Sequence, residues 1–153
     1  MKKLIFPALL LCLLVAGFTI STTRQKASPV LNHIALYVYD LNKSTAFYRD
    51  MIQIDTIPEP FHDGRHTWFK ISSESQLHLI QGAKKGLEHD TNNHLCFSVS
   101  SIEDFIERLD KNNISYTNWA GTGKIPTTRV DGVKQIYLQD PDGYWIEINN
   151  DKR

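Results

Sequence analysis

The chain contains little cysteine. Its 153 residues include two cysteines, and one of them, Cys12, lies in an apolar N-terminal run. Cys96 is therefore the only cysteine of the remaining chain, which excludes a disulfide within that part. Hydrophobic packing must hold the fold, and an apolar fraction of 41% in a chain of this length allows one domain with a core.

The chain also lacks an excess of positive charge. It has 17 basic and 17 acidic residues, and its Lys and Arg residues do not form a patch interleaved with aromatic residues. Such a patch is the usual sign of a surface that binds nucleic acid. We therefore expect no nucleic-acid partner.

One long apolar run is present, at the N-terminus. Lys2 and Lys3 precede the mostly apolar residues 4–20, and a polar stretch ends at residue 28. This order is typical of an export signal, and the run is short for a membrane span. An uncleaved membrane anchor stays open as the alternative, because no clean A-x-A site precedes Pro29.

We divide the chain accordingly into residues 1–28, a signal peptide or N-terminal anchor, and residues 29–153, a single domain. The domain is expected to be exported, to the periplasm or the medium, or to be tethered to a membrane only through the N-terminal segment. Four of the 17 basic residues and none of the 17 acidic ones lie in residues 1–28, so the domain carries a net charge of −4.

One structural plan occurs twice in this domain. Residues 32–52, NHIALYVYDLNKSTAFYRDMI, and residues 93–111, NHLCFSVSSIEDFIERLDK, each begin with Asn-His, continue with alternating apolar residues and then start a helix. The two stretches are 61 positions apart. We infer two modules, about 31–81 and 93–150, joined by the polar, glycine-containing linker 82–92.

Each module is predicted to contain a strand, a helix and then three strands, from its apolar alternation and turn residues. The first module has predicted strands at 31–39, 53–58, 65–71 and 76–81, with a helix capped by Asp40. The second has predicted strands at 93–99, 114–119, 133–139 and 144–149, with a helix at 102–111 capped by Ser101. Residues 120–131, which contain glycine, are predicted to form a mobile loop. The fold class is therefore α+β, and each strand has one aliphatic face that a helix can cover.

Three histidines and one glutamate occupy corresponding points of this plan. His33 and His94 begin the opening strands of the two modules, and His78 and Glu147 lie in the closing strands. All four are on the strand face away from the aliphatic residues. A pseudo-twofold axis would bring them together, and imidazoles with a carboxylate suit Zn, Ni, Co, Mn or Fe. We predict that these four residues bind one divalent transition metal.

Each of these residues also has a simpler explanation. A single histidine at the start of a strand is usually a surface or hydrogen-bonded residue, and a single glutamate on a late strand usually faces solvent. The shared position in the repeat favours the metal site over these explanations. The other three histidines, His62, His66 and His89, do not share it and are assigned to turns or the surface. Cys96 is interpreted as a small buried thiol.

The stretches NHIALYVYDLNKSTAFYRDMI, LHLI, HLCFSV and YLQDPDGYWIEI resemble the vicinal oxygen chelate superfamily. This superfamily contains glyoxalase I, fosfomycin-resistance thiol transferases, methylmalonyl-CoA epimerase, extradiol dioxygenases and the metal-free bleomycin-resistance proteins. The resemblance spans about residues 31–150. It implies two βαβββ modules that form a cupped, partly open mixed sheet with the helices on its outer face.

By position, the resemblance puts His33, His78, His94 and Glu147 on the four metal-ligand positions. Glyoxalase I usually has a glutamate where this chain has His78, and in the thiol transferases and dioxygenases this position is generally not a ligand. Two ligand sets therefore stay open, all four residues or His33, His94 and Glu147 alone. In glyoxalase I a metal-bound glutamate can act as base, which makes Glu147 the expected catalytic residue.

The expected function is that of a glyoxalase I-like lyase or isomerase acting on a small substrate with two neighbouring oxygens. An Fe(II) extradiol-type dioxygenase and a non-catalytic binding or resistance protein are the alternatives. Arg65, Lys124, Arg129 and Lys134 are candidates for binding an anionic substrate, although ordinary surface cations explain them equally well. Many relatives dimerise, so a homodimer is expected, and the sequence leaves open whether the modules pair within one chain or across two.

Overall fold

A computed structural model describes residues 28–152 of the chain. The predicted signal peptide or anchor, apart from Ser28, lies outside the described residues. Within residues 28–152, no helix has the length and apolar character needed to cross a membrane.

Two mixed sheets, one for each predicted module, make up the β-structure of this part of the chain. Sheet A contains β1 (His33–Val38), β2 (Thr56–Ile57), β3 (His66–Lys70) and β4 (Gln76–Gln81). Sheet B contains β5 (His94–Ser98), β6 (Tyr116–Thr117), β7 (Thr127–Thr128), β8 (Lys134–Gln139) and β9 (Trp145–Asn149). The helices are α1 (Leu41–Phe47), continued by a π-helical turn (Tyr48–Ile52), and α2 (Ile102–Lys111). The α+β fold class and the βαβββ order are confirmed.

The opening strand of each module lies at the edge of its sheet. Sheet A has the order β1-β4-β3-β2, and sheet B has the order β5-β9-β8-β6 with β7 also paired to β8. In both sheets the opening strand runs parallel to the closing strand. Strand β7 lies in residues 120–131, which we predicted as a loop, and it pairs with Gln135 and Lys134. Gly121, Gly123 and Pro126, which precede this strand, favour a loop in the sequence.

One hydrophobic core serves both modules. Leu36 and Leu79 of sheet A and Ile136 and Ile148 of sheet B belong to the same buried cluster. The buried faces of α1 and α2 complete it, and each helix begins at its predicted cap. Because both sheets turn their aliphatic faces toward this shared core, their opposite faces point away from it. We call these opposite faces the open faces.

The DPDG turn, residues 140–143, lies between two strands of sheet B and is hydrogen-bonded to helix α1 and to the π-helical turn that continues it. Buried Asp140 accepts two backbone N–H groups of the turn region at 2.9 Å and the hydroxyl of Tyr48, also at 2.9 Å. Asp142 accepts the hydroxyl of Ser44 at 2.6 Å. Gly143 has a φ of 88°, and a Cβ there would lie 3.0 Å from a backbone oxygen, so the turn requires glycine. The turn thus fixes the position of one module against the other.

Candidate metal centre

His33 lies at the start of edge strand β1, on the open face of sheet A. Its Nδ1 is 2.7 Å from Oδ1 of Asn32. An amide oxygen only accepts hydrogen bonds, so this contact favours the ring proton on Nδ1 and leaves Nε2 with a free lone pair. The residue is exposed, so this nitrogen is open to a ligand.

His78 lies on the same face, on the neighbouring strand β4. Its ring is stacked between those of His33 and Trp68, at centroid distances of 4.3 and 3.9 Å and interplanar angles of 9° and 1°. Its Nε2 is 2.8 Å from Oε1 of Gln76, so this nitrogen is engaged as a donor. Burial of the ring is the main cause that lowers the pKa of His78. The ring is therefore neutral and held by packing.

His94 begins β5, and Glu147 lies beside it on β9, both on the open face of sheet B. Nε2 of His94 is 3.4 Å from Oε2 of Glu147. Nδ1 of His94 is 2.7 Å from the backbone oxygen of Thr91, which fixes the ring proton on Nδ1 as at His33. The free imidazole nitrogen and the carboxylate therefore converge on one point.

Glu147 is surrounded by hydrogen-bond donors. The hydroxyl of Tyr137 donates to Oε2 at 2.5 Å, and Nδ2 of Asn149 donates to Oε1 at 2.8 Å. The Cys96 thiol is a weaker third donor at 3.4 Å. Burial alone would raise the pKa of Glu147, but the hydrogen bonds from Tyr137, Asn149 and Cys96 outweigh it and lower the pKa. The side chain is held as a carboxylate.

Tyr137, Asn149 and Gln135 belong to this network although the sequence reasoning did not name them. Nε2 of Gln135 donates to the Tyr137 hydroxyl at 2.9 Å. Alternation alone places Gln135 and Tyr137 on one face of β8, and Asn149 on the Glu147 face of β9. What connects them is the pairing of Tyr137 with Glu147 across the two strands, a register that a single sequence does not reveal.

The interpretation of Cys96 as a buried thiol is wrong, because the residue is exposed on edge strand β5. Its sulfur nevertheless lies against Glu147. Partial burial of the sulfur and the adjacent carboxylate raise the pKa of the thiol to about 12. Cys96 is therefore a neutral donor to the carboxylate.

The two pairs do not meet within one chain. Among residues 28–152, no group of three or more His, Cys, Asp or Glu side chains is placed to hold a metal ion. His33 and His78 lie on sheet A, whereas His94 and Glu147 lie on sheet B. Since the sheets share a core through their aliphatic faces, their open faces cannot close on each other in a single copy. The expected convergence of all four residues is thus not found within one chain.

Two of the predicted substrate-binding cations pair with carboxylates of helix α2. Nζ of Lys124 is 2.6 Å from Asp110, and Nζ of Lys134 is 2.7 Å from Glu103. Both pairs lie at the surface, where such contacts contribute little to stability. These lysines are engaged with the helix rather than with the open face of either sheet.

Arg129 is the predicted cation that acts electrostatically on the open face of sheet B. Burial raises the pKa values of Cys96 and Tyr137, and the charge of Arg129 opposes both increases. Its guanidinium also pairs with Asp131 at 2.6 Å. Arg65 belongs to the other module, where it donates to a backbone oxygen of β4 at 3.0 Å.

Residues 30–148 match the family model of the Glyoxalase/Bleomycin resistance protein/Dioxygenase superfamily. The chain belongs to this superfamily, and the resemblance inferred from its sequence is confirmed.

Three relatives illustrate the range of named activities. The chain is 30% identical to fosfomycin resistance protein FosX of Listeria monocytogenes, over 78% of this chain and 87% of that one. It is 29% identical to metallothiol transferase FosB of Staphylococcus epidermidis, over 78% and 80%. It is 26% identical to lactoylglutathione lyase of Pseudomonas putida, over 86% and 91%. A crystal structure of the Listeria FosX covers 80% of this chain and 93% of its own, with a TM-score of 0.62 and 26% identity.

Proposed function

We propose that this protein is a metal-dependent enzyme that acts on a small substrate with two neighbouring oxygens, and that His33, His94 and Glu147 bind its metal. One observation carries the proposal. Both histidines have Nδ1 engaged by an oxygen and Nε2 free, and Nε2 of His94 lies beside the Glu147 carboxylate. An imidazole held through its other nitrogen is the usual arrangement of a histidine ligand.

The donor set fits a divalent transition metal. Two imidazoles and a carboxylate suit Zn, Ni, Co, Mn or Fe and leave coordination positions open for substrate. When bound there, such a metal supplies Lewis-acid stabilisation of negative charge on the substrate oxygens. The name of one relative, a metallothiol transferase, supports a metal in this part of the family.

His78 is left out of the proposed ligand set. Its Nε2 donates to Gln76, and its ring is sandwiched between two other rings, so ligation through this nitrogen would break both arrangements. Of the two ligand sets that the sequence leaves open, this geometry favours the one with three residues.

The proposed centre is completed across two copies of the chain. His33 of one copy would join His94 and Glu147 of the other, because these residues lie on open faces that point away from a shared core. Strands β1 and β5, which carry the two histidines, lie at the edges of their sheets, where contact between copies can form. A homodimer would then contain two equivalent centres.

Glu147 is proposed to act as a ligand rather than as the proton relay. A general base works best when its pKa is near the working pH, whereas three donors lower the pKa of this carboxylate. Tyr137 and Asn149 would instead hold its two oxygens in the orientation that the metal requires.

The reaction we favour is a lyase or isomerase step of the glyoxalase I type, in line with the lyase among the relatives. Inactivation of fosfomycin is a second candidate. It is supported by the three-residue ligand set and by 30% identity to FosX. Turnover of the hemithioacetal of methylglyoxal and of fosfomycin, measured side by side on the metal-loaded protein, separates the two.

Mixing two variants tests the shared centre directly. Purified His33→Ala and His94→Ala proteins should each fail to retain stoichiometric zinc. After unfolding and refolding as an equimolar mixture, half of the dimers are mixed and each has one intact centre, so zinc binding should recover to about a quarter of the wild-type level. No recovery, with both variants folded and dimeric, would contradict the shared centre. Wild-type protein without bound metal after loading would contradict the enzyme proposal itself.

A further inference from the structure

Four aromatic rings form a continuous array on the open face of sheet A. We call His33, His78, Trp68 and Phe61 the ring ladder. The first three are stacked face to face at 4.3 and 3.9 Å, and Phe61 meets Trp68 edge-on at 5.9 Å. The ladder thus begins at a candidate metal ligand and ends on an exposed phenyl ring.

Sheet register explains why the rings are adjacent. Ala35, His78 and Trp68 occupy paired positions on β1, β4 and β3, so their side chains share one face of the sheet. Ala35 is small, which leaves the ring of His33 free to lie over that of His78. Phe61 comes from the loop before β3 and is 58% exposed. Because the stacked rings cover each other's faces, a row of ring edges leads from His33 to the exposed ring of Phe61.

Strands β1 and β4 add no charged residue types to this surface. Their remaining open-face positions are Ala35, Tyr37, Gln76 and Ile80. On β3 the same face carries His66, which contacts Asp63, and exposed Lys70. The Nε1 of Trp68 is buried and has no hydrogen-bond partner among the described residues, so the indole keeps its stacked position at a cost in free energy. The edges of these rings and exposed Phe61 can bind another aromatic ring edge to face, through dispersion and quadrupole interactions.

A second copy of the chain is a poor occupant for the ladder. The face that would lie opposite across two copies is the open face of sheet B, which carries the Glu147, Tyr137 and Gln135 network. A hydrogen-bonded carboxylate network does not complement an array of stacked rings that ends on the exposed phenyl ring of Phe61. The space between the two faces is better suited to a ligand with one polar end and one flat apolar end.

We propose that the ring ladder is a substrate subsite that binds a planar aromatic group, while the substrate's two neighbouring oxygens occupy the metal centre. The inference rests on the proposed function and narrows it, since it assigns the substrate to compounds that carry an aryl group next to the oxygen pair. Phe61 and Trp68 are then the residues that determine specificity. Ring-free substrates, such as fosfomycin and the methylglyoxal hemithioacetal, would then bind through the metal centre alone.

A matched pair of chelators tests the subsite. Acetohydroxamic and benzohydroxamic acid bind metals through the same two oxygens and differ in a methyl or a phenyl substituent. Calorimetric titration of the full-length, zinc-loaded wild type should give about tenfold tighter binding of benzohydroxamate, the size expected for stacking with some burial of the ring. Phe61→Ala should reduce this preference by at least about threefold and leave acetohydroxamate binding unchanged.

Ile125→Ala is the control, because Ile125 is an exposed apolar residue of the other module, 82% exposed, and belongs to neither site. Phe61→Leu separates the loss of a ring from the loss of apolar area, and it should lose most of the preference. An equal preference in wild type and Phe61→Ala, with normal acetohydroxamate binding, would overturn the subsite alone. Absence of binding of either compound to zinc-loaded protein would overturn the metal centre, and the subsite with it.

Discussion

The open faces of the two sheets differ in chemistry although the two modules share one plan. Sheet A presents stacked rings, and its histidine pair makes few hydrogen bonds beyond Asn32 and Gln76. Sheet B presents a connected network in which Tyr137, Asn149 and His94 all surround one carboxylate. The same βαβββ pattern therefore supports two roles: in our proposal sheet B orders the metal, and sheet A supplies one ligand and binds the substrate body.

The sharpest test of this comparison removes one side chain from the open face of each sheet and compares the two losses of zinc affinity. Glu147→Ala should lower zinc affinity by more than about 100-fold, because it removes a direct ligand and leaves the donors of Tyr137 and Asn149 unpaired. His78→Ala should lower it by less than about tenfold, because His78 only supports His33 through stacking. Competition with a zinc-chelating dye measures both affinities. Equal losses in the two variants would mean that His78 is a ligand.

A smaller loss of zinc affinity is expected when a hydrogen bond to the Glu147 carboxylate is removed. Tyr137→Phe removes the 2.5 Å hydrogen bond to Glu147 and should reduce zinc affinity about 10- to 100-fold, the usual effect of losing such a partner of a metal ligand. Tyr116→Phe is the control, since the hydroxyl of Tyr116 makes only a 3.4 Å contact with Asp110. Unchanged zinc binding in Tyr137→Phe would show that the network of sheet B does not order the metal.

The DPDG turn, which is hydrogen-bonded to helix α1 and the π-helical turn after it, should give a measurable dependence of stability on pH. Burial raises the pKa of Asp140 above its ordinary value of 3.8, in spite of the hydrogen bonds that it accepts. The folded chain then binds this proton more tightly than the unfolded chain, so the free energy of unfolding falls as pH rises from the unfolded pKa through the raised folded pKa. Urea unfolding between about pH 3 and about pH 7 should show this loss in the wild type relative to Asp140→Asn. A constant difference between the two proteins across that range would contradict the raised pKa.

The smallest expected effect is that of the Arg129 charge on the reactivity of Cys96 at the open face of sheet B. The positive charge of Arg129 opposes the raised pKa of Cys96, so Arg129→Ala should raise that pKa further and slow alkylation of the thiol. We expect a decrease of about two- to fivefold in the rate at fixed pH, measured by mass spectrometry of the Cys96 peptide. Lys124→Ala should react at the wild-type rate, because Lys124 pairs with Asp110 on helix α2. Equal rates in all three proteins would place Arg129 outside the electrostatic reach of the site.

Much of the fold could be predicted because its signals are local. Alternation, the caps Asp40 and Ser101 and the repeated Asn-His start gave the element order and the two modules. The π-helical turn could not be predicted, since such turns are rare and have no sequence signal of their own. Strand β7 could not be predicted, since it follows glycines and a proline that favour a loop. For the site, alternation put His33, His78, His94 and Glu147 on the open faces, but it could not reveal that Gln76 engages Nε2 of His78.

The two-residue period of a strand divides the side chains of each sheet into an aliphatic face and an opposite face, and this division can be read along the chain. How the two faces are used follows from packing and strand pairing in three dimensions. The two aliphatic faces pack into one core, so the open faces point apart within one copy, and their residues are available to a metal only in separate pairs. Register across the strands then made one face a hydrogen-bonded network and the other a stack of rings, since neighbours across a sheet are set by pairing and not by order along the chain.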